Sequence, residues 1–156
     1  MSKLKKDDKI FIAGHNGMVG SAIERKFIQE GFKNILTFSS NELDLRNQLS
    51  VEEFYKKEKP DFVILAAAKV GGIHANNKYK AEFIYSNLSI QNNIIHSAYK
   101  CNIKNLIFLG SSCVYPKLSK QPIKIAMLSC KKMSTAKRPL PWWRCIALRS
   151  IQRLKL

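Results

Sequence analysis

Lys9–Gly20 reads KIFIAGHNGMVG. The apolar run Ile10-Phe11-Ile12-Ala13 leads directly into Gly14, Gly17 and Gly20, and a helical pattern (Ile23, Phe27, Ile28) follows. Strand, glycine turn and helix in that order is the context in which a glycine motif points to a dinucleotide. A turn without side chains lets the backbone approach a pyrophosphate. The helix behind it offers unpaired N–H groups and the positive end of a dipole. The spacing is GxxGxxG, one residue wider at its start than the commonest form. The same glycines would equally serve a tight turn that only packs.

Outward from this stretch, element types alternate. Lys9–Ala13 reads as a first strand, and Met18–Glu30 as a helix ended by Gly31. Asn34–Phe38 reads as a second strand, and Leu49–Glu58 as a helix with Ser50 as its N-cap and Pro60 beyond its end. Asp61–Ala67 is apolar almost throughout, as a strand covered on both faces should be. A loop with Gly71-Gly72 follows, then a long helix over Tyr79–Lys100 and a strand over Asn105–Gly110. Strands alternating with helices imply parallel pairing and right-handed crossovers. The expected fold is therefore α/β, a doubly wound, Rossmann-like parallel sheet, truncated at about four strands and followed by an irregular basic tail.

The chain has 156 residues, enough for one domain with a core and short for two. No apolar run approaches a membrane span, and the N-terminal MSKLKKDDK lacks the apolar stretch of a signal peptide. Cys101, Cys113, Cys130 and Cys145 form no CxxC pair. That spacing argues against a metal site or a disulfide framework and fits the cytoplasm. The formal charge of +16 is unevenly placed. Residues 1–115 hold 16 basic and 11 acidic residues, whereas 116–156 hold 11 basic residues and no acid. The tail also lacks glycine and carries Trp142 and Trp143.

FIAGHNGMVGSAI, ELDL at Glu42–Leu45, LAAAKVGGIHANN at Leu65–Asn77, FIYSNLSIQNNIIHSA at Phe83–Ala98 and FLGSSCVYPK at Phe108–Lys117 stand out along the first part of the chain. Together they resemble the GDP-L-fucose synthases, extended short-chain dehydrogenase/reductases that epimerise and reduce GDP-4-keto-6-deoxymannose. The likeness runs over about residues 8–122. It implies an incomplete NAD(P)-binding domain over residues 1–122, and residues 123–156, a basic tail that does not match the family, are expected to be a frame-shifted or mis-spliced translation.

The resemblance also implies roles. Gly14, His15, Asn16, Gly17, Met18, Val19 and Gly20 would line the pyrophosphate turn. Asp44 and Leu45 would flank the adenine, or serve only as a helix-entry acid and a core leucine. Ala66, Ala67 and Ala68, with Leu109, Gly110, Ser111 and Ser112, would lie along the cofactor. Lys69, Val70 and Gly71 would meet the nucleotide-sugar substrate, although a lysine's default is solvent. Ser111 would hold the substrate's keto oxygen and Cys113 would act as base or acid in epimerisation. A cysteine after a strand can equally be a small buried apolar residue.

NADP(H) follows from the family, and NAD(H) stays open. The general pattern asks for an acid after the second strand to hold a ribose hydroxyl, or an arginine for a 2′-phosphate. This chain has Phe38-Ser39-Ser40-Asn41 there, and the arginine that family members place near this turn is not evident. The tyrosine–lysine pair of the superfamily should follow the Ser/Cys motif, but Tyr115 is the last tyrosine. The one YxxxK, Tyr55–Lys59, reads as a chance match on a charged helical face. The expectation is an N-terminal fragment that binds cofactor without turnover and can pair as a homodimer through the long helix. The competing reading is a nucleic-acid-binding or NAD(P)-sensing module on a relic Rossmann unit. Basic residues beside tryptophans support it, and the lack of a recognisable nucleic-acid motif opposes it.

Overall fold

A computed structural model of the chain describes residues 4–110. The elements run β1 (Ile10–Ala13), α1 (Met18–Gln29), β2 (Ile35–Leu36), α2 (Gln48–Glu58), β3 (Phe62–Leu65), α3 (Ile73–Lys78), α4 (Lys80–Lys100) and β4 (Asn105–Phe108). They build one four-stranded sheet in the order β2-β1-β3-β4. β1 runs parallel to both neighbours, with Ile10 opposite Ile35 on one side and Phe62 on the other. The chain steps outward from β1 to β2 and then returns across β1 to β3. That reversal is the switch point at whose carboxyl edge open parallel sheets bind ligands.

Alternation along β1 explains why helices cover both faces. Ile10 and Ile12, with Phe62 and Ile64 of β3, meet Ile23 and Phe27 of α1 together with Phe32 and Ile35. Phe11 points the other way, its ring 4.6 Å from that of Phe54 and 6.2 Å from that of Tyr55, both on α2. α4 packs beside α2 and contributes Ile94 and Ala98, both fully buried. Each large apolar side chain removed from water in this way stabilises the fold by about 1.5–3 kcal/mol. The amino edge is tied by polar contacts. The Lys9 N–H donates to Asp61 Oδ2 at 2.8 Å, and Lys9 Nζ donates to the Glu58 carbonyl at 2.8 Å. Among the described residues no helix is long and apolar enough to cross a membrane.

The doubly wound sheet matches the sequence expectation, with three local differences. α2 begins at Gln48, and its N-cap is Asn47, whose side chain accepts from the Ser50 N–H at 3.3 Å. Ser50 therefore stands at the third helical position, the usual donor to such a cap. β2 and β3 are shorter than their apolar runs, because pairing with β1 ends at Leu36 and Leu65. Ile73–Lys78, within a stretch read as loop, forms α3, which begins at Gly72 and is broken from α4 by Tyr79 at φ −114°.

Tyr55 departs most from its expected setting. It is fully buried rather than on a charged face, and its hydroxyl has no hydrogen-bond partner among the described residues. Burial raises its pKa, with a smaller push from Cys101. Lys59, the other half of the YxxxK match, is the C-cap of α2 in a left-handed conformation (φ 47°). A buried hydroxyl without a partner costs about 1–3 kcal/mol. Tyr55→Phe should therefore raise stability by about 1 kcal/mol in urea unfolding. The pH sign follows from linkage. A tyrosine whose folded pKa is raised holds its proton in the fold, so stability falls as pH climbs past the unfolded value of about 10. The variant should lose less stability than the parent between pH 9 and pH 11.

Candidate cofactor site

The carboxyl ends of β1 and β3 meet at Gly14. This residue sits at φ +90°, and a Cβ placed on it would lie 2.6 Å from the Ala67 Cα and 2.8 Å from the Ala66 carbonyl carbon. The Ala66 N–H donates to the Ala13 carbonyl at 2.9 Å, carrying the β1–β3 ladder one step beyond the strands. A Cβ on Gly20, in the first turn of α1, would collide with the Gly14 carbonyl. Gly17 is the N-cap of α1, and its N–H donates to the Gly14 carbonyl at 3.0 Å. No side chain caps α1. The amides of Met18, Val19 and Gly20 consequently have no acceptor among the described residues. Met18 and Val19 are exposed around this helix start. His15 Nδ1 is buried there without a partner among the described residues. Together these features fit a pyrophosphate: close backbone, unpaired N–H groups and a helix dipole.

Beyond β2 the chain ties its own polar groups together. Glu42 accepts from the Ser39 N–H at 2.8 Å and from the Ser39 hydroxyl at 2.7 Å. Those bonds hold the Glu42 carboxyl below its ordinary pKa, with a smaller pull from His15. Asp44 takes a fork from Arg46, Nε to Oδ1 at 2.9 Å and an Nη to Oδ2 at 2.8 Å, and its pKa is lowered chiefly by that contact. The Leu45 carbonyl accepts from Asn93 of α4 at 3.0 Å. The fully packed leucine of this segment is Leu43, whereas Leu45 is half-buried.

Past β3, Ala66 and Ala67 are half-buried and Ala68 is exposed. Asn87 of α4 clamps the next residue: it accepts from the Lys69 N–H at 2.6 Å and donates to the Lys69 carbonyl at 3.0 Å. The Lys69 ammonium lies 5.4 Å from the centre of the Phe83 ring. Asn76 donates to the carbonyls of Gly71 and Gly72, and a Cβ on Gly71 would come within 2.9 Å of the Phe83 ring. Val70 is exposed.

The structure thus brings Gly14 and Gly20 together against Ala66 and Ala67 beyond β1 and β3, and places Asp44 and Leu45 on the connection from β2 to α2 and Lys69–Gly71 on the connection from β3 to α3. Leu109 and Gly110 directly follow β4. Ser111, Ser112 and Cys113 lie outside the described residues, as does the tail from 123 to 156. The sequence reading missed Asn87, Asn93 and Asn76. For Asn87 and Asn93 the signal was amide side chains among the apolar residues of α4; Asn76 lies on α3, which buries no residue and carries no such signal.

Residues 10–136 match the model of the NAD dependent epimerase/dehydratase family. The chain belongs to that family. It is 54% identical to GDP-L-fucose synthase 1 of Arabidopsis thaliana over 142 residues, 91% of this chain and 43% of that one. Among solved structures it resembles MlghC, a GDP-mannoheptose C4 reductase from Campylobacter jejuni with NADP bound. That match has 37% identity and a TM-score of 0.79, over 96% of this chain and 45% of the other. A GDP-L-fucose synthetase from Naegleria fowleri bound to NADP matches at 29% identity and TM-score 0.76, over 96% and 47%. The chain therefore spans less than half the length of these family members.

Within this family member the two glycines that meet backbone should be the least replaceable. Gly14→Ala adds left-handed strain to a clash with β3 backbone and should cost about 3 kcal/mol or more. Gly31→Ala is the control: Gly31 also has positive φ (+80°) but nothing lies within 4 Å of its added Cβ. Strain alone should cost about 1–2 kcal/mol there. Thermal unfolding followed by circular dichroism measures both, and equal losses would contradict the close-approach account.

Proposed function

We propose that the chain is the N-terminal, cofactor-binding part of a GDP-L-fucose synthase, acting on GDP-4-keto-6-deoxymannose with NADP(H). The observation that carries this reading is the start of α1, uncapped and held by backbone packing at the β1–β3 switch point. The two NADP-bound neighbours and the Arabidopsis relative support the cofactor and the nucleotide-sugar class. When bound, the dinucleotide supplies the hydride that reduces the 4-keto group.

In this reading the chain's own residues bind and orient. Gly14–Gly20 holds the pyrophosphate on backbone amides, and Asp44 and Leu45 flank the adenine. Ala66–Ala68, Leu109, Gly110 and Ser112 give the cofactor a low wall, and Lys69–Gly71 meets the substrate. Ser111 holds the keto oxygen. Cys113 takes the proton from the carbon beside it, a step that a nearby positive charge favours by stabilising the thiolate. We assign these roles to a unit over residues 1–122, with residues 123–156 as a basic tail outside it. A second copy would pack on α4, whose Tyr85 and Tyr99 are exposed. The setting is the cytoplasm, where free thiols persist.

Reduction in this superfamily needs a tyrosine–lysine pair beyond Cys113, and no tyrosine follows Tyr115 in this chain. The 156-residue chain should bind the cofactor and leave it unconsumed. Titration followed by NADPH fluorescence should give saturable binding, and adding GDP-4-keto-6-deoxymannose should cause no loss of absorbance at the reduced-nicotinamide band. Absence of binding would sink the cofactor assignment, and steady consumption would sink the inactive one.

A further inference from the structure

We infer that the adenosine-ribose end of this site does not select for a 2′-phosphate, so that NADH binds as well as NADPH. The inference rests on the cofactor reading above and refines it. In a doubly wound sheet the 2′-position falls where the glycine turn after β1 faces the residues leaving β2. Here β1 and β2 are direct neighbours, so that place is bounded by His15 and Asn16 on one side and by Phe38–Glu42 on the other.

None of those residues is a lysine or an arginine. Phe38 is turned toward α2, its ring 5.2 Å from that of Phe54. Ser39 has the two donors best suited to phosphate oxygens, its N–H and its hydroxyl, and Glu42 already occupies both. Arg46, the first arginine beyond β2, is committed to Asp44 through its Nε and one Nη. Ser40 and Asn41 are exposed and uncharged. The described residues at this corner therefore present one carboxylate and the His15 imidazole, with no lysine or arginine.

A phosphate monoester carries about −1.5 to −2 charges at neutral pH and is held by charge-assisted bonds from cations. Among the described residues here it would find no lysine and no arginine other than Arg46, already paired with Asp44, and it would face the Glu42 carboxylate. A ribose hydroxyl asks only for an acceptor or a small donor, which Glu42 and Asn16 can supply. The pyrophosphate contacts at Gly14–Gly20 are common to both dinucleotides, so they cannot separate them.

The test is calorimetric titration of the full chain with NADPH and NADH at one ionic strength, with circular dichroism to confirm that each variant is folded. The wild-type dissociation constants should agree within about threefold. Asn16→Arg should shift the ratio of the two dissociation constants toward NADPH by about tenfold or more, because it places a guanidinium at the corner. A wild-type preference for NADPH beyond threefold overturns the inference, as does a folded Asn16→Arg protein whose ratio does not move. Failure of both nucleotides to bind overturns the cofactor reading itself and this inference with it.

Discussion

Two backbones touch at Gly14, and the rest of the site depends on that contact. The β1–β3 register brings Ala13 opposite Leu65, and the next pair along is Gly14 against Ala66 and Ala67. Only a residue without Cβ can turn there at φ +90° without driving β3 away. Gly20 then lets the first turn of α1 settle on the Gly14 carbonyl. Packing and ligand binding were two readings of the same glycines in the sequence. Structurally they form one chain of cause. The packing holds the start of α1 above the switch point, and the lack of a side-chain cap leaves its amides facing outward.

The two edges of the sheet are finished differently. At the amino edge charged groups close the turns: Lys9 reaches Glu58 and Asp61, and Lys100 joins α4 to Glu52 of α2 at 2.8 Å. Such exposed pairs contribute little each, about 0–1 kcal/mol, but they tie α2, α4 and the strand starts into one unit. At the carboxyl edge neutral amides do the corresponding work. Asn87, Asn93 and Asn76 hold the main chain of Lys69, Leu45 and Gly71–Gly72. An amide side chain supplies both a donor and an acceptor without adding charge. That suits the edge proposed to take a charged cofactor.

The sheet, the helices on both faces and the glycine turn were legible because each rests on local rules: apolar runs, period, and glycine before a helix. Strand ends were not, because pairing with β1 rather than apolar character stops β2 and β3. Tyr55 was misplaced for a related reason. Its neighbours Glu53, Lys56 and Lys57 are exposed, so the segment reads as charged, yet at helical spacing Val51, Phe54 and Tyr55 form the buried stripe. α3 is six residues long, too short for its periodicity to stand out from a glycine loop. Of the site, the residues offering backbone were legible, since glycine and alanine are chosen there for what they lack. The clamping asparagines were not: Asn87 and Asn93 bond main chain 18 and 48 residues away, and Asn76 sits on the short α3 that the sequence reading took as loop.

Lys69 shows how these levels combine. Its backbone is fixed on both sides by one side chain, Asn87, which bonds its N–H and its carbonyl as a neighbouring strand would. The main chain beyond the end of β3 is thereby held by a side chain of α4. The ammonium is not part of that clamp and rests over the Phe83 ring at 5.4 Å. A cation on an exposed aromatic face is held by only about 0.5–1 kcal/mol. Position is thus set by the main chain and reach is left to the side chain. Both serve the role proposed for Lys69, a cation that meets an anionic nucleotide-sugar beside the sheet.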